Sequence, residues 1–309
     1  MSTIINKSNL QNNPKSIHCN SISTELSNKL SKIKLIVSDL DGTFLSSNGE
    51  LSYQNIISVK SLYNKNINFT LASGRSDLMC ASYIKDCNIT LPIISSNGAL
   101  IRNSINKNIV FKSIIQSSVA LKIMNFCKEN ELDYMSYNLD KIFFTEKSLR
   151  IEKFKVYNKI AIKNHTDPIV LNFYDNKNNT HKNISDEGVL KILLFTKNKK
   201  DLNIATNFLN NIPEISFVLS EKNALDISPK GISKGEALQT LCSYLNIPLE
   251  NTCVFGDYTN DISMMKLAGI SFAMSNSPKY VQDIATFLTD SNDNSGVAKA
   301  LEFILSNIK

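Results

Sequence analysis

A four-residue apolar run, Leu35-Ile-Val-Ser, ends in the acidic turn Asp39-Leu-Asp-Gly-Thr43. A run this short reads as a strand covered on both faces. Chemistry placed directly after such a strand belongs at the carboxyl edge of a sheet, where open α/β folds hold their ligands. The pattern then repeats. Residues 51–65 carry Ile56, Val59, Leu62 and Tyr63 at helical spacing, and Ile67-Asn-Phe-Thr-Leu-Ala is a second strand, ending in Ser73-Gly-Arg-Ser. A helix follows to about Cys87, and Pro92-Ile-Ile-Ser is a third strand, ending in Ser96-Asn-Gly. Strand–helix alternation of this kind predicts right-handed βαβ units and a parallel sheet, an α/β fold with a Rossmann-like core.

Past residue 111 the alternation loosens. A helix near 116–130 precedes strand-like runs at 132–137 and 141–145, and the polar stretch 174–187 reads as a loop. A strand at 189–196, a helix at 201–209 and strands at 215–219 and 224–227 complete a mixed α/β insert. Regular alternation returns at Ser233, which forms a capping box with Glu236 ahead of Ala237, Leu238, Leu241, Cys242 and Leu245 at helical spacing. Cys253-Val-Phe-Gly is the next strand, ending in Asp257. The expected division is a disordered tail at 1–32, a core at 33–111 and 228–309, and an inserted domain at 112–227.

Composition narrows the function. The formal charge of +6 comes from 34 basic and 28 acidic residues. Half of the excess lies in the Asn- and Ser-rich tail, where Lys7, Lys15, Lys29 and Lys32 face only Glu25. The remainder is too weakly basic for a nucleic-acid partner. No run approaches about 18 apolar residues, which argues against a membrane span, and no apolar segment in the tail resembles a secretory signal. Six cysteines without a C-x-x-C pair read as reduced thiols of a cytoplasmic protein. The three histidines are scattered, so metal or nucleophile chemistry centred on histidine is not expected. No motif bears on oligomeric state.

Four segments share one position, immediately after a predicted strand or at a helix start. They are Asp39-Leu-Asp41-Gly-Thr43, Ser73-Gly74-Arg75, Lys234, and Gly256-Asp257-Tyr-Thr-Asn260-Asp261. If their strands are neighbours, four carboxylates, an ammonium and a hydroxyl converge. Clustered carboxylates repel, and without a cation one is driven to protonate. Mg²⁺ removes that conflict, because it takes oxygen ligands and suits one or two carboxylates plus a substrate phosphate. Asp39 and Asp41, two apart at a strand end, point the same way. One can attack as nucleophile while the other handles protons. Lys234 and its helix N-terminus supply positive charge to the anion.

These motifs resemble the haloacid dehalogenase superfamily of phosphatases, in its Cof-type branch with a large α/β cap. The resemblance runs from about residue 34 to the C-terminus and takes in Ser96-Asn-Gly-Ala, Ile232-Ser-Lys-Gly, Ala273-Met-Ser-Asn and Gly296-Val-Ala. It implies that the insert is a cap over a catalytic core. It implies Asp39 as nucleophile through an aspartyl-phosphate and Asp41 as general acid/base. Ser73, Gly74, Lys234 and Asn260 would bind phosphate, and Thr43, Asn97 and Asn276 would shape the substrate pocket. Asp39, Asp257 and the backbone carbonyl of Asp41 would ligate Mg²⁺, with Asp261 as direct or water-mediated support. Arg75 is expected to brace its loop rather than touch phosphate. The expected reaction is hydrolysis of a small phosphorylated metabolite, a sugar phosphate or nucleotide. Transfer back to a second sugar hydroxyl (a phosphomutase) and a non-catalytic binding protein of the same fold are the alternatives. A dinucleotide-binding oxidoreductase is disfavoured, since no G-x-G-x-x-G follows the first strand.

Overall fold

The computed structural model describes residues 15–16, 24–146, 148, 150–174, 180–221 and 223–308. Six strands form a sheet in the order Lys15–Ser16, Phe287–Thr289, Ile270–Met274, Thr252–Gly256, Leu35–Ser38, Asn68–Leu71, with every neighbouring pair parallel. From Leu35–Ser38 the chain moves to one side, onto Asn68–Leu71. After the insert it returns on the other side, at Thr252–Gly256. The carboxyl end of Leu35–Ser38 is therefore a topological switch point, where the chain ends splay and leave a crevice.

The sheet is apolar on both faces because helices cover both. Ile36, Phe69, Cys253, Phe255, Phe272 and Phe287 point to one side. Leu35, Val37, Val254 and Ala273 point to the other, against Ala237, Leu238, Leu241 and Cys242. Across the first face Phe255, Phe272 and Phe287 stack at centroid spacings of 4.9 and 5.0 Å. Such pairs add about 0.5–1.5 kcal/mol each beyond the area they bury.

The third predicted strand, Ile93–Ser95, departs from expectation. Among the described residues it is bridged to the parallel sheet at Ala72–Ile94, in parallel, and it pairs antiparallel with Leu100–Arg102 in a sheet completed by Ile109–Lys112. The cause is local. Ser96, Asn97 and Gly98 all have positive φ (50°, 56° and 104°), which turns the chain back on itself.

The proposed tail is also partly structured. Thr24–Ser31 is a helix that buries Leu26 and Leu30, and Lys15–Ser16 extends the parallel sheet. Two leucines four apart make a single apolar spot among polar neighbours, enough to dock a helix whose sequence shows no sustained period. The rest of residues 1–23 lies outside the described residues.

The insert carries its own sheet in the order Ile215–Glu221, Ala224–Pro229, Lys191–Phe195, Asp133–Tyr137, Ile142–Phe144, Leu171–Phe173. All its pairings are antiparallel except the last. The helices Ser117–Glu129 and Lys199–Leu209 contribute to one apolar cluster on it. Ile151–Lys163 packs through Phe154, Tyr157 and Ala161 into another. Part of the polar stretch 174–187 is a helix, Thr180–Asp186, anchored by buried Ile184. Among the described residues no helix is long and apolar enough to cross a membrane.

Candidate active site

Asp39 is the first residue past Leu35–Ser38, and its N–H still donates to the Phe255 carbonyl at 3.0 Å, so the site begins in sheet register. Asp257 follows the neighbouring strand directly. Lys234 is the first residue of the helix Lys234–Leu245, whose start is capped by the Ser233 side chain. There Ser233 Oγ accepts from the Glu236 N–H at 3.2 Å and donates to Glu236 Oε2 at 2.7 Å. Lys234 at that start is buried in the core.

Its ammonium bridges two carboxylates, 2.5 Å from Asp39 Oδ1 and 2.7 Å from Asp261 Oδ1, and all three side chains are less than a tenth exposed. Asp257 joins them: one ligand atom from each of Asp39, Asp257 and Asp261 lies within 4.8 Å of the others. The turn leaves no room for a side chain at residue 42. Gly42 has φ +78°, and a Cβ there would meet the Asp257 carboxyl carbon at 2.8 Å.

Three acids against one lysine leave the cluster short of positive charge. Burial, and then the neighbouring Asp261 and Asp257 charges, push the Asp39 carboxyl well above its usual range, and the Lys234 contact offsets only part of this. Burial and then the Asp261 charge raise Asp257 to about 6, against a hydrogen bond from Thr43. Burial works against the Lys234 ammonium, but Asp261 and Asp39 outweigh it and hold the group charged. A hard divalent cation would relieve both raised carboxyls.

The donor set fits such an ion unevenly. Asp261 has both oxygens engaged: Oδ1 takes Lys234, and Oδ2 accepts the Asp257 and Tyr258 N–H groups at 2.9 and 3.1 Å. Among the described residues no donor reaches Asp39 Oδ2, and Asp257 has only Thr43 at 2.7 Å. Asp39 and Asp257 are thus the carboxylates free to ligate, and Asp261 braces them.

Asp41 goes elsewhere. Its carboxylate takes a two-pronged contact from Arg75, Nε at 2.8 Å and Nη2 at 2.5 Å, outside the acidic cluster. Burial works against that charge, but the Arg75 hydrogen bonds and charge prevail and hold Asp41 below the usual carboxylate range. Any metal contact from residue 41 is left to its backbone. Arg75 braces more than its own loop, since it fixes Asp41.

A cleft of about 770 Å³ opens over the site, lined by Asp39, Asp41, Gly74, Asn97, Asp257 and Asn260 from the core. Asn260 Nδ2 donates to Asn97 Oδ1 at 3.1 Å, which joins two of the expected polar residues. Ser73 and Lys234 are buried behind the lining rather than in it. Ser73 Oγ accepts the Arg75 N–H at 3.1 Å, leaving its hydroxyl proton to donate. Thr43 and Asn276, expected in the substrate pocket, do not line the cleft. Thr43 donates to Asp257, and Asn276 Nδ2 donates to the Gly42 carbonyl at 2.9 Å. Both tie down the acidic turn: Asn276 partners the backbone carbonyl of the positive-φ Gly42, and Thr43 ties the turn to the Asp257 side chain.

The insert supplies residues that sequence reading missed. Lys191 and Asp226 form a buried pair against the Ser73-Gly74 loop, and Met135, Tyr137 and Leu193 give the cleft an apolar wall. The signal was present: an acid between Leu225 and Ile227, and a lysine heading Ile-Leu-Leu-Phe, are charges inside apolar strands.

A switch-point crevice over paired carboxylates, closed by an α/β insert, places the chain among capped enzymes of Rossmann-like topology. Comparison with known proteins narrows this. A family model described as haloacid dehalogenase-like hydrolase matches residues 36–301, and the chain belongs to that family. A relative from Mycoplasma genitalium is 31% identical over 266 residues, spanning 85% of this chain and 95% of its own length. Phosphatase YwpJ of Bacillus subtilis is 27% identical over 286 residues, spanning 88% of this chain and all of its own. The crystal structure of a haloacid dehalogenase-like hydrolase from Bacteroides thetaiotaomicron superposes with a TM-score of 0.74 at 26% identity, covering 88% of this chain and 99% of that one. The similarity spans sheet and insert alike, so the insert is this family's cap.

Proposed function

We propose that the protein is a Mg²⁺-dependent phosphatase of small phosphate monoesters, sugar phosphates or nucleotides, working through an aspartyl-phosphate at Asp39. One observation carries the reading. Asp39, with one unengaged oxygen, lines a cleft of metabolite size while Lys234, itself held by Asp261, engages its other oxygen.

Asp39 and Asp257 would hold the ion, which supplies charge neutralisation to the phosphoryl group. The Asp39 carboxylate attacks phosphorus, an acyl–phosphate bond forms, and the ester P–O bond breaks. Water then attacks phosphorus, releasing inorganic phosphate and restoring the carboxylate. Asp41 is the group for the protons. With Arg75 on it, it is a carboxylate and can take a proton from the attacking water. To protonate the leaving alkoxide it must first come free of Arg75 and take up a proton from solvent; the proton it later takes from the attacking water restores that form for the next turnover. The Gly74, Asn97 and Asn260 side of the cleft positions the phosphoryl oxygens, backed by Ser73.

A panel of phosphorylated metabolites, followed by free phosphate, tests the reading. Release from at least one member, lost on chelation and restored by Mg²⁺, is expected; metal-independent release contradicts it. A second reading, phosphomutase, draws on Arg150 and Lys153, which line the cleft from the cap where a distal phosphate would lie. Isomer formation without phosphate release would favour it.

The acidic cluster makes the ion's effect depend on pH. Asp257 titrates higher folded than unfolded, so its ionisation lowers stability as pH rises through that window to about 6. A bound cation removes the penalty. Millimolar Mg²⁺ is expected to raise the melting temperature by several degrees at about pH 7.5 and by much less at about pH 5. Thermal-shift curves with equal increments at both pH values would argue against these carboxylates as the site.

A further inference from the structure

The cap brings to the cleft a buried carboxylate that the phosphoryl chemistry leaves unused. Lys191 Nζ lies 2.6 Å from Asp226 Oδ2, with side-chain exposures of 4% and 6%. The same ammonium donates to the Gly74 carbonyl at 2.8 Å, and Asn97 Nδ2 donates to Asp226 Oδ2 at 3.0 Å. Both donors fall on one oxygen. The other, Asp226 Oδ1, is buried and has no hydrogen-bond partner among the described residues. Buried polar atoms are nearly always paired, so an orphaned carboxylate oxygen at the wall of a cleft marks a place for a donor from outside.

Its surroundings define that donor. Lys191 already neutralises the carboxylate, so no second cation is called for. An anionic group would be repelled by an oxygen that only accepts. A neutral O–H meets both conditions. Met135, Tyr137 and Leu193 line the same cleft and offer an apolar surface to the C–H faces of a carbon skeleton. The contact of Lys191 with Gly74, next to Ser73, keeps Asp226 close to the phosphoryl end, so the hydroxyl in question lies near the ester oxygen.

We propose that Asp226 determines specificity: its Oδ1 accepts a hydrogen bond from a hydroxyl of the leaving group and selects hydroxylated phosphate monoesters over their deoxy counterparts. The assignment rests on the phosphatase reading above and names which part of that site reads the substrate.

Matched esters test it. Glycerol 3-phosphate is set against propyl phosphate, ribose 5-phosphate against its deoxy analogues, and glucose 6-phosphate against deoxyglucose 6-phosphates. The wild-type protein is expected to favour the hydroxylated member of at least one pair by about tenfold or more in kcat/KM, as sites built to pair a substrate hydroxyl do. Asp226→Asn keeps the size, leaves a carbonyl for Lys191 and Asn97, and puts an NH2 group where Oδ1 was. In that variant the preference should shrink to within about twofold, whatever its absolute rate. A wild-type preference below about threefold in every pair overturns the assignment, and this arm stands even if the variant does not fold. A preference that survives unchanged in Asp226→Asn overturns it as well. The nitrophenyl ester p-nitrophenyl phosphate, which has no hydroxyl, reports the chemistry separately. Release from it without any hydroxyl preference removes only the role of Asp226, whereas no release from any ester removes the phosphatase reading itself.

Discussion

Asp39→Asn is expected to lower phosphate release by about 10⁴-fold or more while the fold survives. Removing a covalent nucleophile leaves only what positioning and charge supply. Asparagine has nearly the same volume, and its carbonyl can still accept the Lys234 ammonium that now meets Asp39 Oδ1 at 2.5 Å. The change also removes one of three mutually repelling acids from a buried cluster, so stability should hold or rise slightly. Steady-state phosphate release beside a urea titration reads both effects. Near-normal turnover in this variant would remove Asp39 from the chemistry, whatever its position.

Lys234→Met is expected to act on the fold itself. The ammonium is wholly buried between Asp39 and Asp261, with Asp257 close by. Taking one partner from a buried ionic cluster leaves the others charged and unpaired, which costs about 3–5 kcal/mol. The companion change Asp261→Asn should recover part of that loss, because it deletes one uncompensated carboxylate while its amide side chain still fills the space beside Gly256. Urea midpoints of the single and double variants decide the matter. A loss under about 1 kcal/mol for Lys234→Met would mean that the cluster is already neutral without its lysine.

How much of this was legible follows from how local each feature is. Asp39, Lys234, Asp257 and Asp261 each sit within a few residues of a strand or helix boundary that apolar runs and the Ser233–Glu236 box mark. Their convergence needed only the parallel order of the strands. Arg75 was visible as a residue but not as a partner of Asp41, because the strand–turn rule that puts 39 and 41 on one side says nothing about a guanidinium 34 residues later. Thr43 and Asn276 were placed in the pocket by resemblance, and the acidic turn claims them instead, Thr43 through the Asp257 carboxylate and Asn276 through the Gly42 carbonyl. In the cap, Ile151–Lys163 escaped because lysines at 153, 155, 159 and 163 interrupt an apolar stripe carried by Phe154, Tyr157 and Ala161 alone. Lys191 and Asp226 lie on strands whose register decides whether a charge faces solvent or cleft, and register between distant segments is not a local property.

A covalent phosphoryl group at residue 39 is the intermediate on which the proposed hydrolysis turns. Rapid quench during turnover, reduction with borohydride and peptide mass spectrometry would read it directly, since an acyl phosphate is reduced to the alcohol while a free carboxylate is not. The expected result is homoserine at position 39, present only with substrate and Mg²⁺ and absent from every other aspartate. Phosphate release that proceeds with position 39 unlabelled, or with the alcohol formed at 41, 257 or 261, would contradict the account.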